Sequence, residues 1–150
     1  KVSLCEDIRW QRCDIKSTSL LGNVMTMNQS KKNHCDEVIM HKDEEITEGG
    51  ASNVFFVIEG KIHTPSLSNK ILPGITRELL ISETKKNGIF IEEGNYSVND
   101  LLQAESIWLT SSTKGLAQVS EITGHETKIE INNEVFQRCN DIFNKAFLSS

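Results

Sequence analysis

The sequence contains no block of basic residues and no long apolar segment. Its formal net charge of -5 is spread along the 150 residues, so the positive surface that binds polyanions is missing and nucleic acid is not an expected partner. No apolar run approaches the length of a membrane span, and no charged-then-apolar leader precedes the first predicted strand. We therefore expect a cytoplasmic protein that does not enter a membrane.

Cysteine and histidine are few and scattered along the chain. The cysteines show neither the paired spacing of zinc ligands nor the density of a secreted disulfide scaffold, so we predict free thiols in or near the core. The histidines follow no metal-ligand pattern, and we interpret them as surface or packing residues without a metal. These residues are Cys5, Cys13, Cys35, Cys139, His34, His41, His63 and His125.

Proline is scarce as well, and both prolines lie in one segment. Pro65 and Pro73 belong to PSLSNKILPG, a long stretch without regular periodicity. Loops of this kind in compact domains are often functional. The chain also begins at Lys1, without an initiator methionine, and we expect it to be a fragment of a longer protein.

Strand and helix patterns alternate along a chain whose length suits one domain with a buried core. Apolar runs and alternation predict strands, and apolar residues at helical spacing predict helices. The predicted strands span residues 2–5, 8–13, 37–41, 53–58, 61–64, 89–93, 106–112 and 116–122, and the predicted helices residues 19–33, 75–88, 98–104 and 132–148. Hairpin signals such as Glu59-Gly60 indicate a mixed sheet in an α/β fold.

Lys16 follows the second predicted strand, in the string CDIKS. An amine that is partly desolvated at the end of an apolar strand is a nucleophile toward carbonyl groups. Most lysines in this position are nevertheless solvated surface residues, so the spacing alone favours no catalytic role.

Two strings that contain glycine are suited to approach a ligand closely. In TEGGASN, residues 47–53, an acid precedes small residues, although most runs of this kind are only turns. In LPGITR, residues 72–77, Gly74 precedes a predicted helix, whose free amide donors and dipole favour a phosphate. Most helix N-termini bind only water, so each string alone is a weak signal.

In combination and in this order, these strings resemble the fold-type IV enzymes that use pyridoxal 5'-phosphate (PLP), and among these the D-amino-acid transaminases. The residues that carry the resemblance are Lys16 in CDIKS, Glu48 in TEGGASN, Gly74 in ILPGITR, and Ser111, Ser112 and Thr113 in LTSSTK. The match runs from about Glu6 to about Gly124 with the spacing of that family.

The resemblance implies a role for each residue of the site. Lys16 would form the Schiff base with PLP and transfer the proton at the substrate Cα as general base and acid. Glu48 would accept a hydrogen bond from the pyridine nitrogen and keep it protonated, so that the ring withdraws electrons. Leu72 would pack on the ring face, and Arg9 would lie near the phenolic oxygen.

The resemblance also implies a phosphate site. The backbone amides of Ile75 and Thr76 would bind the phosphate together with the hydroxyls of Thr76 and Ser112, and the set of cofactor-binding residues includes Gly74 and Ser111. Relatives often carry hydroxyls where this chain has Gly50 and Ala51, and a threonine where it has Ser112.

The fold implied by the resemblance is the C-terminal large domain of these enzymes, a mixed sheet partly closed into a barrel with flanking helices. Family members also carry a small N-terminal domain, which supplies an arginine to the phosphate and the groups that bind the substrate carboxylate. We do not find that domain in this sequence. We therefore expect residues 1–150 to form a single PLP-binding domain of an enzyme that works as a homodimer.

The activity implied is transamination between a D-amino acid and a 2-oxo acid. Branched-chain aminotransferase and aminodeoxychorismate lyase have the same fold and remain alternatives, and a lyase would turn over without a 2-oxo acid. A truncated, non-catalytic domain is a further alternative. Half of the site would neutralise only part of the phosphate charge and would not hold the substrate in position.

Overall fold

The structure is a computed structural model that describes residues 1–6, 35–50, 52–67, 71, 74–131 and 133–149. The predicted strand at residues 8–13 and the predicted helix at residues 19–33 lie outside these residues. The strands of the described part are β1 Val2–Glu6, β2 Glu37–Lys42, β3 Glu45–Gly49, β4 Asn53–Ile58, β5 Lys61–Pro65, β6 Ile91–Gly94, β7 Ser106–Ser111 and β8 Gly115–Gln118. Its helices are α1 Ile75–Lys86, α2 Val98–Leu102 and α3 Glu134–Ser149, and none of these three is long and apolar enough to cross a membrane.

The strands form two sheets with mixed pairing, as the hairpin signals predicted. The first sheet has the order β1-β2-β3, and the second has the order β6-β5-β4-β7-β8. The pairs β1–β2 and β5–β6 are parallel, whereas the other neighbouring strands are antiparallel. The fold is therefore a mixed α/β structure.

Two tight turns join antiparallel strands at positions where both central residues have positive φ. Glu59 and Gly60 have φ values of 51° and 76°, and Asp43 and Glu44 have values of 52° and 65°. Paired positive φ values match the right-handed twist of the strands on either side of a two-residue hairpin. The predicted Glu59-Gly60 hairpin is confirmed.

Strand β3 is an element that the sequence pattern did not predict. Its string EITEG contains three polar residues, of which Thr47 and Glu48 are buried. The Thr47 hydroxyl donates to the Met40 carbonyl at 3.2 Å, so the polar side chain is satisfied inside the sheet. A strand that buries polar residues does not alternate in hydropathy, and it was therefore interpreted as part of a glycine-rich turn.

The central strand β4 has apolar residues on both faces, and each face packs against a different layer. Val54 and Phe56 belong to a core cluster shared with residues of the first sheet, such as Ile46. Phe55 and Val57 belong to a second cluster, which contains residues of α1 and α3. Burying each of these large side chains contributes roughly 1.5–3 kcal/mol. The sheet is therefore held between the first sheet on one side and helices on the other.

Helices α1 and α3 lie on the same face of the second sheet. In α3, Phe136, Cys139 and Phe143 are buried at helical spacing, which confirms the predicted terminal amphipathic helix. Helix α1 confirms the predicted helix at residues 75–88 but ends at Lys86, before Gly88 with a φ of 79°. Ile75 begins this helix at the protein surface and is 84% exposed.

The described cysteines are free thiols. Cys35 and Cys139 are buried, in agreement with the prediction, and Cys5 is half-buried, whereas Cys13 lies outside the described residues. Burial among Phe136, Phe143 and their neighbours raises the pKa of the Cys139 thiol to about 12, from an ordinary value of 9.0.

Cys139 should make stability depend on alkaline pH. Its contribution is complete below about pH 9 and is lost as the pH rises toward 12, because the unfolded chain releases the proton first. We expect the free energy of unfolding to fall by up to about 1.4 kcal/mol per pH unit more in the wild type than in Cys139→Ala. Urea unfolding of both proteins across this range measures the difference, and equal slopes would contradict the prediction.

Candidate active site

Three residues of the predicted site lie outside the described residues. They are Lys16, Arg9 and Leu72. The other predicted residues occupy three places in the fold: Glu48 lies on β3, Gly74, Ile75 and Thr76 begin α1, and Ser111 and Ser112 end β7.

Glu48 is buried near the end of β3, with 5% of its surface exposed. The chain turns back directly after it, since the Gly49 amide donates to the Ser52 carbonyl at 2.8 Å. This turn brings Asn53, the first residue of β4, to the Glu48 side chain. The Asn53 Nδ2 donates to Glu48 Oε2 at 3.2 Å, so the amide satisfies and orients the buried carboxylate.

A second buried carboxylate, Glu37 on β2, holds the turn itself. Glu37 Oε1 accepts hydrogen bonds from the amides of Val38 at 3.0 Å and Gly50 at 3.1 Å. Glu37 Oε2 accepts one from the Ser52 hydroxyl at 3.2 Å. The turn that carries Glu48 toward Asn53 is therefore fixed from the neighbouring strand.

Gly74 immediately precedes α1, and its backbone lies against Asn53. A Cβ built on Gly74 would overlap Asn53 Oδ1, so a larger residue at this position would require the Asn53 side chain to move. The φ of Gly74 is -67°, so space and not backbone conformation favours glycine here. The Asn53 side chain thus contacts Glu48 through its nitrogen and faces Gly74 with its oxygen.

The first turn of α1 has amide donors that no described side chain caps. Gly74 makes no side-chain cap hydrogen bond in the described part of the chain, and its carbonyl accepts from the Glu78 amide at 3.1 Å. The amides of Ile75 and Thr76 have no acceptor within the helix and lie at the positive end of its dipole. Thr76 is buried beside them, which places a hydroxyl in the same turn.

The end of β7 lies beside Asn53. Thr110 pairs with Asn53 across the antiparallel β4–β7 ladder, so the two side chains are on the same face of the sheet. Thr110 is 1% exposed, and its Oγ1 has no hydrogen-bond partner among the described residues. Beyond it, Ser111 Oγ accepts from the Lys114 amide at 3.1 Å, and Ser112 is exposed.

Asn53 therefore brings three of the predicted strings to one place. Glu48 in the acidic string, Gly74 in the helix-start string and the hydroxyl string at the end of β7 all lie next to it. Ser111 belongs to the opposite face of β7 and lines a cavity of about 230 Å³, together with Glu37 and Ser52. Ser111 is thus a predicted residue that the structure places away from the Asn53 side of the sheet.

The donor set at this place fits PLP. Uncapped amides and the Thr76 hydroxyl suit an anion, and a buried carboxylate suits a protonated ring nitrogen. The Thr110 hydroxyl, which no described residue engages, is a further donor in this region. The described residues contain no group of three or more histidine, cysteine, aspartate or glutamate residues that could hold a metal ion.

Three residues of this arrangement had no role predicted from the sequence. Asn53 and Thr110 lie in the strings TEGGASN and LTSSTK. The sequence therefore shows their place along the chain but not the residues that they contact in the fold. Glu37 gave no signal, because a single glutamate at the start of a strand has the appearance of a surface residue.

Comparison with known protein families shows which family the chain belongs to. The family model for amino-transferase class IV matches residues 2–122 of the chain. The chain belongs to this family. D-alanine aminotransferase of Listeria monocytogenes is 40% identical over 119 residues, covering 79% of this chain and 41% of the relative. D-alanine aminotransferase of Staphylococcus haemolyticus is 36% identical over 140 residues, covering 93% of this chain and 50% of the relative.

Solved structures of aminotransferases and related enzymes have the same fold. A branched-chain aminotransferase from the thermophilic archaeon Thermoproteus uzoniensis, solved with norvaline, superposes with a TM-score of 0.87 at 24% identity, covering 99% of this chain and 51% of that one. A protein from Legionella pneumophila described as a 4-amino-4-deoxychorismate lyase superposes with a TM-score of 0.86 at 22% identity, covering 97% of this chain and 55% of that one. This chain thus spans between about two fifths and half of the curated relatives it matches.

Replacement of Gly74 tests whether Asn53 and the helix start are in contact. We expect Gly74→Ala to reduce the free energy of unfolding by roughly 1–3 kcal/mol, because the new methyl group overlaps Asn53 Oδ1. In an Asn53→Ala background the same replacement should cost much less, since the obstructing side chain is gone. Urea unfolding of the four proteins gives the coupling energy, and additive effects would contradict the contact.

Proposed function

We propose that this chain is the cofactor-binding part of a PLP-dependent aminotransferase that transfers an amino group between a D-amino acid and a 2-oxo acid. The observation that carries the proposal is the convergence on Asn53 of a buried carboxylate, Glu48, and an uncapped helix start at Gly74. The choice of a D-amino acid rests on the relatives named D-alanine aminotransferase at 36–40% identity.

Glu48 is the proposed partner of the pyridine nitrogen. Its carboxylate is buried and oriented by the Asn53 amide, so it presents a negative group of fixed direction in a region of low dielectric. When bound, PLP supplies a carbonyl carbon that reacts with amines and a ring that accepts electron density from the substrate. A carboxylate held in this way keeps the ring nitrogen protonated and so favours electron withdrawal.

The start of α1 is the proposed phosphate site. The amides of Ile75 and Thr76 and the Thr76 hydroxyl belong to the same uncapped first turn, and the helix dipole favours an anion there. Ser112 is exposed just beyond the end of β7 and can add its hydroxyl, while the Ser111 hydroxyl accepts from the Lys114 amide and so supports the turn that carries Ser112. Leu72 and Arg9 are proposed to contact the ring face and the phenolic oxygen.

Lys16 is the proposed catalytic residue. Its amine would attach the cofactor and move the proton at the substrate Cα as base and acid. Glu48 and the helix start would hold the ring nitrogen and the phosphate of the ligand.

We propose that the groups that bind the substrate carboxylate, and those that complete the phosphate site, lie outside these 150 residues. They would belong to a small N-terminal domain and to a second subunit of a homodimer. The support is the coverage of the relatives, of which 41–50% is matched here. In that assembly we expect the two sheets to belong to a partly closed barrel.

Reductive labelling tests the proposed role of Lys16. Addition of PLP followed by borohydride reduction should place a pyridoxyl label on Lys16, because a bound ligand raises the aldehyde concentration at the amine proposed to attach it, and exposed lysines gain no such advantage. Peptide mass spectrometry locates the label, which should be absent in Lys16→Arg and unchanged in Lys86→Arg, a control at an exposed lysine. Label spread over many lysines would contradict the proposal.

The assay of turnover separates the candidate reactions. With the complete site, D-alanine should be converted only when a 2-oxo acid acceptor is added, and Glu48→Gln should slow this conversion by about 10²-fold or more, because it removes the charge opposite the ring nitrogen. Preference for branched-chain L-amino acids would favour a branched-chain aminotransferase. Release of product from aminodeoxychorismate without an acceptor would favour the lyase, a reaction named for one structural neighbour.

A non-catalytic binding domain is the remaining candidate, and it is favoured by the fraction of the relatives that the chain spans. In that case the label on Lys16 would form, whereas the chain alone would not turn over any of these substrates.

A further inference from the structure

Arg77 is a deeply buried charged residue in the first turn of α1, with 1% of its surface exposed. It follows Thr76 directly, so it belongs to the turn that carries the proposed phosphate donors. Its Nη2 donates to the Pro65 carbonyl at 3.1 Å and to Glu93 Oε1 at 2.5 Å, and its Nη1 donates to Glu78 Oε1.

These hydrogen bonds join the helix start to the sheet. Pro65 is the last residue of β5, and it pairs in the parallel register with Gly94, the last residue of β6. Glu93 lies on β6 next to that pair. A planar guanidinium can hold a carbonyl and a carboxylate in fixed directions at the same time, which a lysine ammonium cannot do.

Little else in the described part of the chain anchors the first turn of α1. No described side chain caps it, and Ile75 is 84% exposed, so apolar burial does not fix its first residue. Thr76 is buried but small, and the next buried apolar side chain of the helix is Leu80, one turn further on. The position of the Ile75 and Thr76 amides therefore depends strongly on Arg77.

We propose, on the basis of the proposed function, that Arg77 is a positioning residue for the phosphate of the ligand and does not itself touch the phosphate. Its guanidinium is directed at Pro65 and Glu93, and its charge is already faced by two carboxylates. It acts by holding the amide donors of the helix start in the direction that a phosphate ester requires. Donors displaced by even about 1 Å lose much of their effect.

The experiment compares PLP with pyridoxal, which lacks the phosphate. Dissociation constants for both are measured by quenching of tryptophan fluorescence in the wild type and in Arg77→Lys, which keeps the charge but loses the planar fork. We expect PLP to bind about 10–100 times more weakly to Arg77→Lys, since a misplaced helix start loses its fit to the phosphate. Pyridoxal should bind both proteins within a factor of about two, because it does not use these donors.

Two further variants make the result decisive. Glu93→Gln removes a partner of Arg77 that is 41% exposed, so the chain should fold, and PLP should bind it about 3–10 times more weakly while pyridoxal is unaffected. Lys86→Gln breaks the ion pair with Glu83 at the opposite end of the same helix and should change neither constant. If Arg77→Lys does not fold, Glu93→Gln alone decides the question.

The outcomes distinguish this proposal from the proposed function. A wild type that binds PLP no better than pyridoxal would overturn the phosphate site and the proposed function with it. A wild type that prefers PLP, together with variants that keep the full preference, would overturn only the role of Arg77. Equal weakening of PLP and pyridoxal in Arg77→Lys and Glu93→Gln would also overturn it, because that result indicates general loss of structure.

Discussion

The contact on which the site depends is the one between the Asn53 amide, the Glu48 carboxylate and the backbone at Gly74. A buried carboxylate without donors would destabilise the fold by several kcal/mol, so Glu48 can remain inside only with donors such as Asn53 Nδ2. The oxygen of the same amide faces Gly74, where an added Cβ would overlap it unless the Asn53 side chain moved. One side chain therefore orients an acid on β3 and contacts the residue that precedes α1, while Arg77 holds the turn that follows.

The sheet arrangement explains why these groups meet at all. Strand β4 begins at Asn53, directly after the turn that follows β3, and its neighbour β7 ends opposite it at Thr110. The two core clusters hold β4 from both faces, so its first residue is attached to a tightly packed part of the fold. We expect a site at the end of such a strand to be rigid, and a rigid site favours a ligand of one defined shape.

Local patterns predicted most of the elements and only part of the site. Continuous apolar runs identified β4 and β7, and helical spacing identified α1 and α3, because the core demands those side chains directly. Strand β3 was missed because it buries Thr47 and Glu48, whose partners are known only from the fold. Glu37, Asn53 and Arg77 were missed for the same reason, since their roles come from hydrogen bonds to residues that are not adjacent to them in the sequence.

The charges of the described site are separated in a way that restricts its ligand. Glu48 provides a negative group on one side of Asn53, and the uncapped start of α1 provides positive potential on the other. Arg77 adds little to that potential, because Glu78 and Glu93 face its guanidinium. A simple dianion would be attracted at the helix and repelled by Glu48, whereas a ligand with a cationic ring nitrogen and a distant phosphate satisfies both ends. We therefore expect the arrangement to favour a ligand with opposite charges at its two ends over phosphate alone.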